Sequence, residues 1–155
     1  MNTNVTEDLP IACDASVLTP EEREHWVQDI APKLYPQVQE IRELPNGWAW
    51  RLPSTSEVLF LLAEEMNVER LCCPFVTYTL EIQPNRGPFW LRMTGGAGVK
   101  TFLRLAFETT NHFDAEVGKA AGLDISAGPE MDSVETVLEA VDKLNERYAK
   151  TTGSS

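Results

Sequence analysis

The sequence predicts an α+β fold: a four-stranded antiparallel sheet made from two β-hairpins with helices packed on it, in the order α-ββ-α-ββ-α plus a C-terminal helix. Two pairs of strand-like runs, each joined by a short turn, predict the hairpins. Apolar residues at helical spacing before, between and after these pairs predict the helices. The length of 155 residues, of which 43% are apolar, fits a single domain with one core.

Regular structure is predicted to begin at Thr19, an N-cap residue that precedes Pro20 and two glutamates. We expect a helix over residues 20–34. Strand-like runs at 38–44 and 48–52 then flank Pro45-Asn46-Gly47, and Asn-Gly is the strongest short-range hairpin signal. With Asn46-Gly47 as the loop, Trp48 and Trp50 share one face of the hairpin, and we expect that face to meet the core.

The second half repeats this helix and hairpin order. A central helix is predicted to open near residues 53–57 and to stop before Pro74, because proline has no N–H to donate within a helix. The alternating run 76–82 and the run 89–93 predict the second hairpin. Apolar residues at helical spacing predict a further helix over residues 98–108.

The domain organisation follows from these segments. We expect residues 1–18 to form a flexible N-terminal segment and residues 19–150 to form one α+β domain. Within that domain, residues 109–132 are rich in turn residues and are predicted to be a connector, and residues 133–149 a C-terminal amphipathic helix. The tail 151–155 is expected to be disordered.

Composition excludes several classes of partner. The formal net charge of −11 repels a phosphate backbone and an anionic membrane surface, so we expect neither nucleic acid nor membrane as a partner. The longest apolar run, 58–63, is too short for a bilayer span, and residues 1–10 lack the pattern of a secretory signal. We therefore expect a cytoplasmic protein, in which three cysteines serve as free thiols or metal ligands.

The candidate site lies at the end of the central helix. At 100° per residue, Glu65, Glu69, Cys72 and Cys73 fall with apolar residues inside an arc of roughly 120°. A glutamate on a buried stripe costs several kcal/mol unless it is neutralised, paired or bound to a metal. Two carboxylates on the same face as two thiols therefore mark this position as a site.

Metal binding is the first interpretation. Thiolates are the ligands that soft metals prefer, so Cys72 and Cys73, with Cys13 as a third thiol and Glu69 as a carboxylate ligand, are predicted to bind a soft metal ion or zinc. A spontaneously reactive thiol is disfavoured, because a helix C-terminus and two glutamates both raise the pKa of a cysteine. A bound cation would reverse this effect.

Three alternatives stay open. Glu69 can pair with Arg51 or Arg92, which lie on strands predicted to pack against the helix. Glu69 can instead act as a general acid or base in a small enzyme, beside an apolar pocket lined by Trp48, Trp50 and Tyr78. In the last alternative the chain is an interaction module, in which the C-terminal helix completes a homodimer and the thiols only pack.

A short motif adds a resemblance. The segment Glu69-Arg70-Leu71-Cys72-Cys73-Pro74-Phe75, with Trp90-Leu91-Arg92-Met93-Thr94-Gly95 downstream, resembles a Glu-Arg-x-Cys-Cys-Pro-Phe signature. That signature is similar to one in small uncharacterised bacterial proteins and in the C-terminal part of some regulators of the mercury-responsive type. The likeness covers roughly residues 13–108 and implies that Cys72 and Cys73 capture a soft metal. We do not expect regulation by DNA contact, because we predict no DNA-binding helices in residues 1–68, before this segment.

Overall fold

The computed structural model describes residues 11–110, 112–125 and 131–152. The first ten residues of the predicted flexible segment, part of the predicted connector and the last three residues of the predicted tail lie outside the described residues. The described residues confirm the predicted α+β class. They form a four-stranded antiparallel sheet with helices on one face, and the last element is a C-terminal helix.

The first helical stretch follows the prediction for residues 20–34. It consists of α1 (Pro20–His25), a π-helical turn (Trp26–Ile30) and α2 (Ala31–Leu34). Thr19 and Glu22 form a capping box at its start. The wider π turn precedes Pro32, which has no N–H to donate to the carbonyl four residues earlier.

The first hairpin contains a correction to the predicted turn. Strands β1 (Glu40–Leu44) and β2 (Gly47–Leu52) pair so that Leu44 faces Gly47, which makes Pro45-Asn46 the loop. The predicted loop Asn46-Gly47 is therefore shifted by one residue. A side chain at Gly47 would approach the Met93 carbonyl oxygen to 1.9 Å, so glycine is needed inside the strand for close packing with its neighbour.

The sheet is completed by the second hairpin and lies beneath the central helix. Helix α3 (Ser56–Cys72) connects β2 to β3 (Thr77–Ile82), and β3 pairs with β4 (Phe89–Thr94). The strand order is β1-β2-β4-β3. One row across the inner face contains the registered residues Ile41, Trp50, Leu91 and Leu80.

The remaining helices cover the inner face. Helix α4 (Val99–Thr109) packs against β2, the short helix α5 (Ala115–Ala120) contacts β1, and the C-terminal helix α6 (Val134–Thr151) packs against α4. Leu144 of α6 is buried and the Tyr148 ring contacts Phe102 edge-on. The apolar face of α6, which one of the three alternatives assigned to a homodimer, therefore has a partner within the same chain. Across the described ranges, every helix is too short or too polar to cross a bilayer.

We predict that Gly98→Ala lowers the free energy of unfolding by about 1–3 kcal/mol. Gly98 has a φ of +92°, and an added Cβ would lie 2.3 Å from the Tyr148 hydroxyl oxygen, so both the backbone and the contact between α4 and α6 are strained. The matched control is Gly96→Ala, because no atom lies within 4 Å of a Cβ built there. Urea unfolding of both variants measures the difference, and equal stabilities would contradict the prediction.

Candidate functional site

The four predicted metal ligands border one cavity. Cys13, Glu69, Cys72 and Cys73 all line a partly open cavity of about 130 Å³, between α3, the inner face of the sheet, α4 and α6. Glu65 lines the same space. The helical-wheel argument therefore identified the correct face of α3, and the tertiary fold brings Cys13 to it from a distant part of the sequence.

Cys13 is held in place by hydrogen bonds from two other elements. The Asn145 side chain of α6 accepts from the Cys13 N–H at 3.0 Å and donates to the Cys13 carbonyl oxygen at 3.0 Å. The next N–H, that of Asp14, donates to the Cys72 carbonyl oxygen at 3.1 Å. Residues 11–18 were expected to be flexible, but these bonds fix their backbone at the end of α3.

Glu65 is a buried carboxylate with two aromatic donors. Its side chain is 3% exposed. The indole N–H of Trp26 donates to Oε1 at 2.8 Å, and the Tyr35 hydroxyl donates to Oε2 at 2.6 Å. Two charge-assisted hydrogen bonds of this kind offset much of the cost of burying the carboxylate. They also orient Glu65 toward its neighbour one helical turn later.

Glu65 and Glu69 share a proton. Burial raises the pKa of Glu69 well above its usual range, and the charge of Glu65 raises it further. The Glu69 carboxyl donates a hydrogen bond to Glu65, whose own pKa is raised by burial and partly lowered by its donors. Like charges this close cannot both ionise, so Glu69 is the neutral acid and Glu65 the carboxylate.

The expected ion pair of Glu69 with Arg51 or Arg92 is wrong. Arg51 pairs with Glu40 at 3.6 Å, and Arg92 pairs with Glu81 at 2.8 Å, both on the outer face of the sheet. Helix α3 packs on the opposite face, so neither guanidinium reaches it. Within the described ranges, neither Glu65 nor Glu69 has an ion-pair partner.

Glu108 shows how this fold treats a buried acid with a structural role. Its side chain is 4% exposed, and it lies 3.1 Å from the Arg147 guanidinium and 3.7 Å from that of Arg104. A backbone N–H, that of Asp124, donates to the same carboxylate at 3.1 Å. Two cations therefore compensate Glu108, whereas the Glu65 and Glu69 pair is left without one.

The pKa values of two of the thiols are raised in this environment. The Cys13 thiol interacts with that of Cys73 through a hydrogen bond, and this contact and burial raise the pKa of Cys73 strongly. Burial and the neighbouring Glu69 carboxyl raise the pKa of Cys72 as well. The Cys73 thiol also donates to Glu69 Oε1, with a sulfur-to-oxygen distance of 3.8 Å. A connected series of proton-bearing groups therefore runs from Cys13 through Cys73 and Glu69 to Glu65.

The closest ligand set is a pair of thiols with one carboxyl. Among the residues that the structure describes, no group of three or more His, Cys, Asp or Glu side chains is arranged to hold a metal ion. Cys13, Cys73 and Glu69 interact directly, whereas Cys72 lines the cavity beside them. Two interacting thiols suit soft ions that accept two sulfur ligands, and a higher coordination number requires side-chain rotation.

The aromatic lining differs in part from the prediction. Trp50 and Tyr78 border the cavity as expected. Trp48 instead packs against Phe107 and donates its indole N–H to the Lys100 carbonyl oxygen at 3.0 Å.

Three residues that position the site were not recognised in the sequence. Trp26 was predicted only as part of a core face, Tyr35 follows the end of its helix, and Asn145 lies on the apolar stripe of α6. A polar Asn145 four residues after Val141 and three before Tyr148 was the available signal. Asn145 is a polar residue among the apolar positions of α6, as Glu65 is among the apolar positions of α3.

Comparison of the chain with family models, with curated proteins and with solved structures finds no match. The cavity, the two carboxyls and the three thiols are therefore the features of this chain that indicate a function.

We predict that the free energy of unfolding falls as the pH rises above about 4.5, by up to about 1.4 kcal/mol per pH unit, until the raised pKa of Glu69 is reached. In this window the folded protein keeps the Glu69 proton and the unfolded chain releases it, so rising pH favours unfolding. Glu69→Gln imitates the neutral acid and removes this slope. Urea unfolding from pH 5 to pH 8 tests the difference.

Glu57→Gln, at an exposed position near the start of α3, is the matched control and should keep the wild-type slope. His25 also titrates near this pH range, because its hydrogen bond to Glu64 raises its pKa. Since His25 is present in the wild-type protein and in both variants, its contribution cancels when their slopes are compared. An unchanged slope in Glu69→Gln would show that Glu69 is not a buried neutral acid.

We predict that Asn145→Ala increases the rate at which iodoacetamide alkylates Cys13. The substitution removes two hydrogen bonds to the Cys13 backbone, each of which contributes about 0.5–1.5 kcal/mol, so the segment opens more often. Mass spectrometry of the labelled peptide measures the rate. Lys143→Ala, at an exposed position on the same helix, should leave it unchanged. Equal rates in both variants would contradict the positioning role of Asn145.

Proposed function

We propose that this protein binds a soft metal ion through the thiols of Cys13 and Cys73, with Cys72 and Glu69 as further ligands. The observation that carries the proposal is the connection from Cys13 through Cys73 to Glu69 in the lining of one cavity. Thiolate sulfur selects soft ions over hard ones. Zinc, which is of intermediate softness, would need all four side chains.

The absence of an ion-pair partner for Glu65 and Glu69 among the described residues supports binding of a cation at this site. Two thiols can each lose a proton to a base or to solvent as a cation binds, and the charge of the cation then satisfies the thiolates and the neighbouring carboxyl. Glu69 contributes directly, because its oxygen already accepts from the Cys73 thiol. In this proposal the Cys73 proton passes to Glu69 Oε1 while Glu69 gives its own proton to Glu65, from which a proton is released to solvent as the sulfur binds the metal.

The acid–base alternative remains a second candidate. A cavity next to a carboxyl without a cationic partner meets its main requirement. However, the Glu69 carboxyl is engaged by Glu65 and by Cys73, and these bonds favour proton exchange with the thiol over exchange with a separate substrate. The homodimer alternative has less support, because α6 uses its apolar face against α4.

We further infer a cytoplasmic protein without a nucleic-acid partner. The net charge of −11 supports this inference, because it disfavours contact with phosphate backbones. Free thiols in all three cysteines also fit a reducing compartment.

We predict that the reduced protein retains one Cd²⁺ per chain and releases about two protons as the ion binds, one from each thiol. Native mass spectrometry measures the bound ion, sulfur-to-metal charge-transfer absorption reports its ligands, and a pH indicator in weak buffer counts the protons. Cys13→Ala combined with Cys73→Ala should abolish all three signals. Cys72→Ala should weaken binding less, because its thiol is outside the directly interacting pair.

Retention of Cd²⁺ by the Cys13→Ala and Cys73→Ala double variant would contradict the proposal. The proposal would also be contradicted if neither the wild-type protein nor the Cys72→Ala variant bound Cd²⁺ when their thiols had been shown to be fully reduced. Circular dichroism of each variant establishes that the fold is kept.

A further inference from the structure

The cavity is much larger than a metal ion. Its volume of about 130 Å³ is close to that of an engineered cavity of about 150 Å³ that binds benzene. A bare ion held at the thiols would leave most of this space unfilled. The dimensions therefore fit a ligand that joins a thiol-binding atom to a small organic group.

The walls have the chemistry of an organic-group pocket. Beyond the thiols and the carboxyls, the lining is mainly apolar and comes from the sheet, α4 and α6, including Leu91, Met93, Phe102, Val137 and Leu144. Such surfaces bind a phenyl or alkyl group by removing it from water.

An unused hydrogen-bond donor in the same lining points to a ligand independently. Trp50 is 2% exposed, and its indole N–H has no acceptor among the described residues. Buried donors without an acceptor are uncommon, and those that occur are often completed by a water, an ion or a ligand.

The two neighbouring thiols favour an electrophile that forms two bonds to sulfur. The Cys13 and Cys73 thiols interact, the Cys73 thiol donates to Glu69, and Glu69 donates to Glu65. A ligand that carries its own basic leaving groups can take the thiol protons away without changing the charge of the site.

We propose that the ligand is a neutral organic compound of trivalent arsenic, R–As(OH)₂, in which Cys13 and Cys73 bind the arsenic and the small aromatic or alkyl group R fills the cavity. This inference rests on the proposed function, because it uses the same thiols. It adds the class of compound and assigns the apolar part of the cavity to the organic group.

The exchange balances without an oxidant or a reductant. Two arsenic–oxygen bonds break and two arsenic–sulfur bonds form, while arsenic stays trivalent. Each thiol proton leaves with one hydroxide, so two water molecules are released. Glu69 Oε1, at 3.8 Å from the Cys73 sulfur, accepts the Cys73 thiol proton while Glu69 gives its own proton to Glu65, and the reverse transfer delivers a proton to the departing hydroxide.

The test compares phenylarsine oxide, which hydrates to the dihydroxide, with inorganic arsenite on the reduced protein. We expect the phenyl compound to bind at least about tenfold more tightly, because its ring buries apolar surface that arsenite leaves open. Native mass spectrometry should show one adduct per chain with the mass of the dihydroxide less two waters. The adduct should be lost in the Cys13→Ala and Cys73→Ala double variant.

A pair of matched substitutions tests the role of the cavity. Val137→Phe places a ring into the lining and should weaken binding of the phenyl compound at least about fivefold, with arsenite binding unchanged. Val117→Phe, at another partly buried valine that is outside the lining, should change neither. If Val137→Phe fails to fold, a wild-type series of arsenite, methyl and phenyl compounds replaces it, and affinity should rise with the size of the group.

The outcomes separate the two proposals. Equal binding of the phenyl compound and arsenite, or a Val137→Phe effect of the same size on both, overturns the organic-group inference. Binding of Cd²⁺ without binding of either arsenic compound also overturns it and leaves the proposed function in place. If Cd²⁺ and both arsenic compounds all fail to bind the reduced wild-type protein, both proposals fail.

Discussion

The proton shared by Glu65 and Glu69 is the interaction on which the site depends. Helix α3 places both carboxyls on its inward face, one turn apart, where neither has an ion-pair partner among the described residues. Arg23 lines the same cavity, but its guanidinium donates to the Ala15 and Leu18 carbonyl oxygens. Trp26 and Tyr35 hold Glu65 as the carboxylate, and Glu69 becomes the neutral acid. Because Glu69 also contacts the Cys73 thiol, the protonation of the carboxyl pair and that of the thiols are coupled.

The fold assembles this site from elements that are distant in sequence. The segment before α1 supplies Cys13, α3 supplies the carboxyls and the paired cysteines, and α6 supplies Asn145. The sheet and α4 complete the apolar lining. Helix α6 therefore has two roles in one chain: it covers the core through α4, and it fixes the backbone of one proposed ligand. Loss of its docking would disturb both.

Local patterns predicted most of the fold because each element has a clear boundary in the sequence. Thr19 and Thr55 cap helices, Pro74 follows the end of α3, and alternating residues define β3. The one-residue shift of the first turn was not predictable, because Gly47 is required by contact with Met93 on a strand that lies far along the chain. Local turn preference carries no information about that contact.

Only the part of the candidate site that depends on local spacing was predictable from the sequence. Helical spacing was sufficient to identify Glu65, Glu69 and Cys72 on one inward face of α3. The proximity of Cys13, the donors Trp26 and Tyr35, and the positioning role of Asn145 all depend on tertiary packing. Arg51 and Arg92 lie on the other face of the sheet. For Arg51 the alternation with Trp50 already predicted this face, whereas the face of Arg92 is fixed only by the pairing of β4 with β2.

X-ray absorption at the cadmium edge of the reduced, Cd²⁺-loaded protein tests the central claim most directly, because it identifies the atoms bonded to the ion. The account predicts sulfur neighbours from Cys13 and Cys73, together with an oxygen that disappears in Glu69→Gln. A spectrum with only oxygen or nitrogen neighbours, unchanged when both cysteines are replaced by alanine, would contradict it.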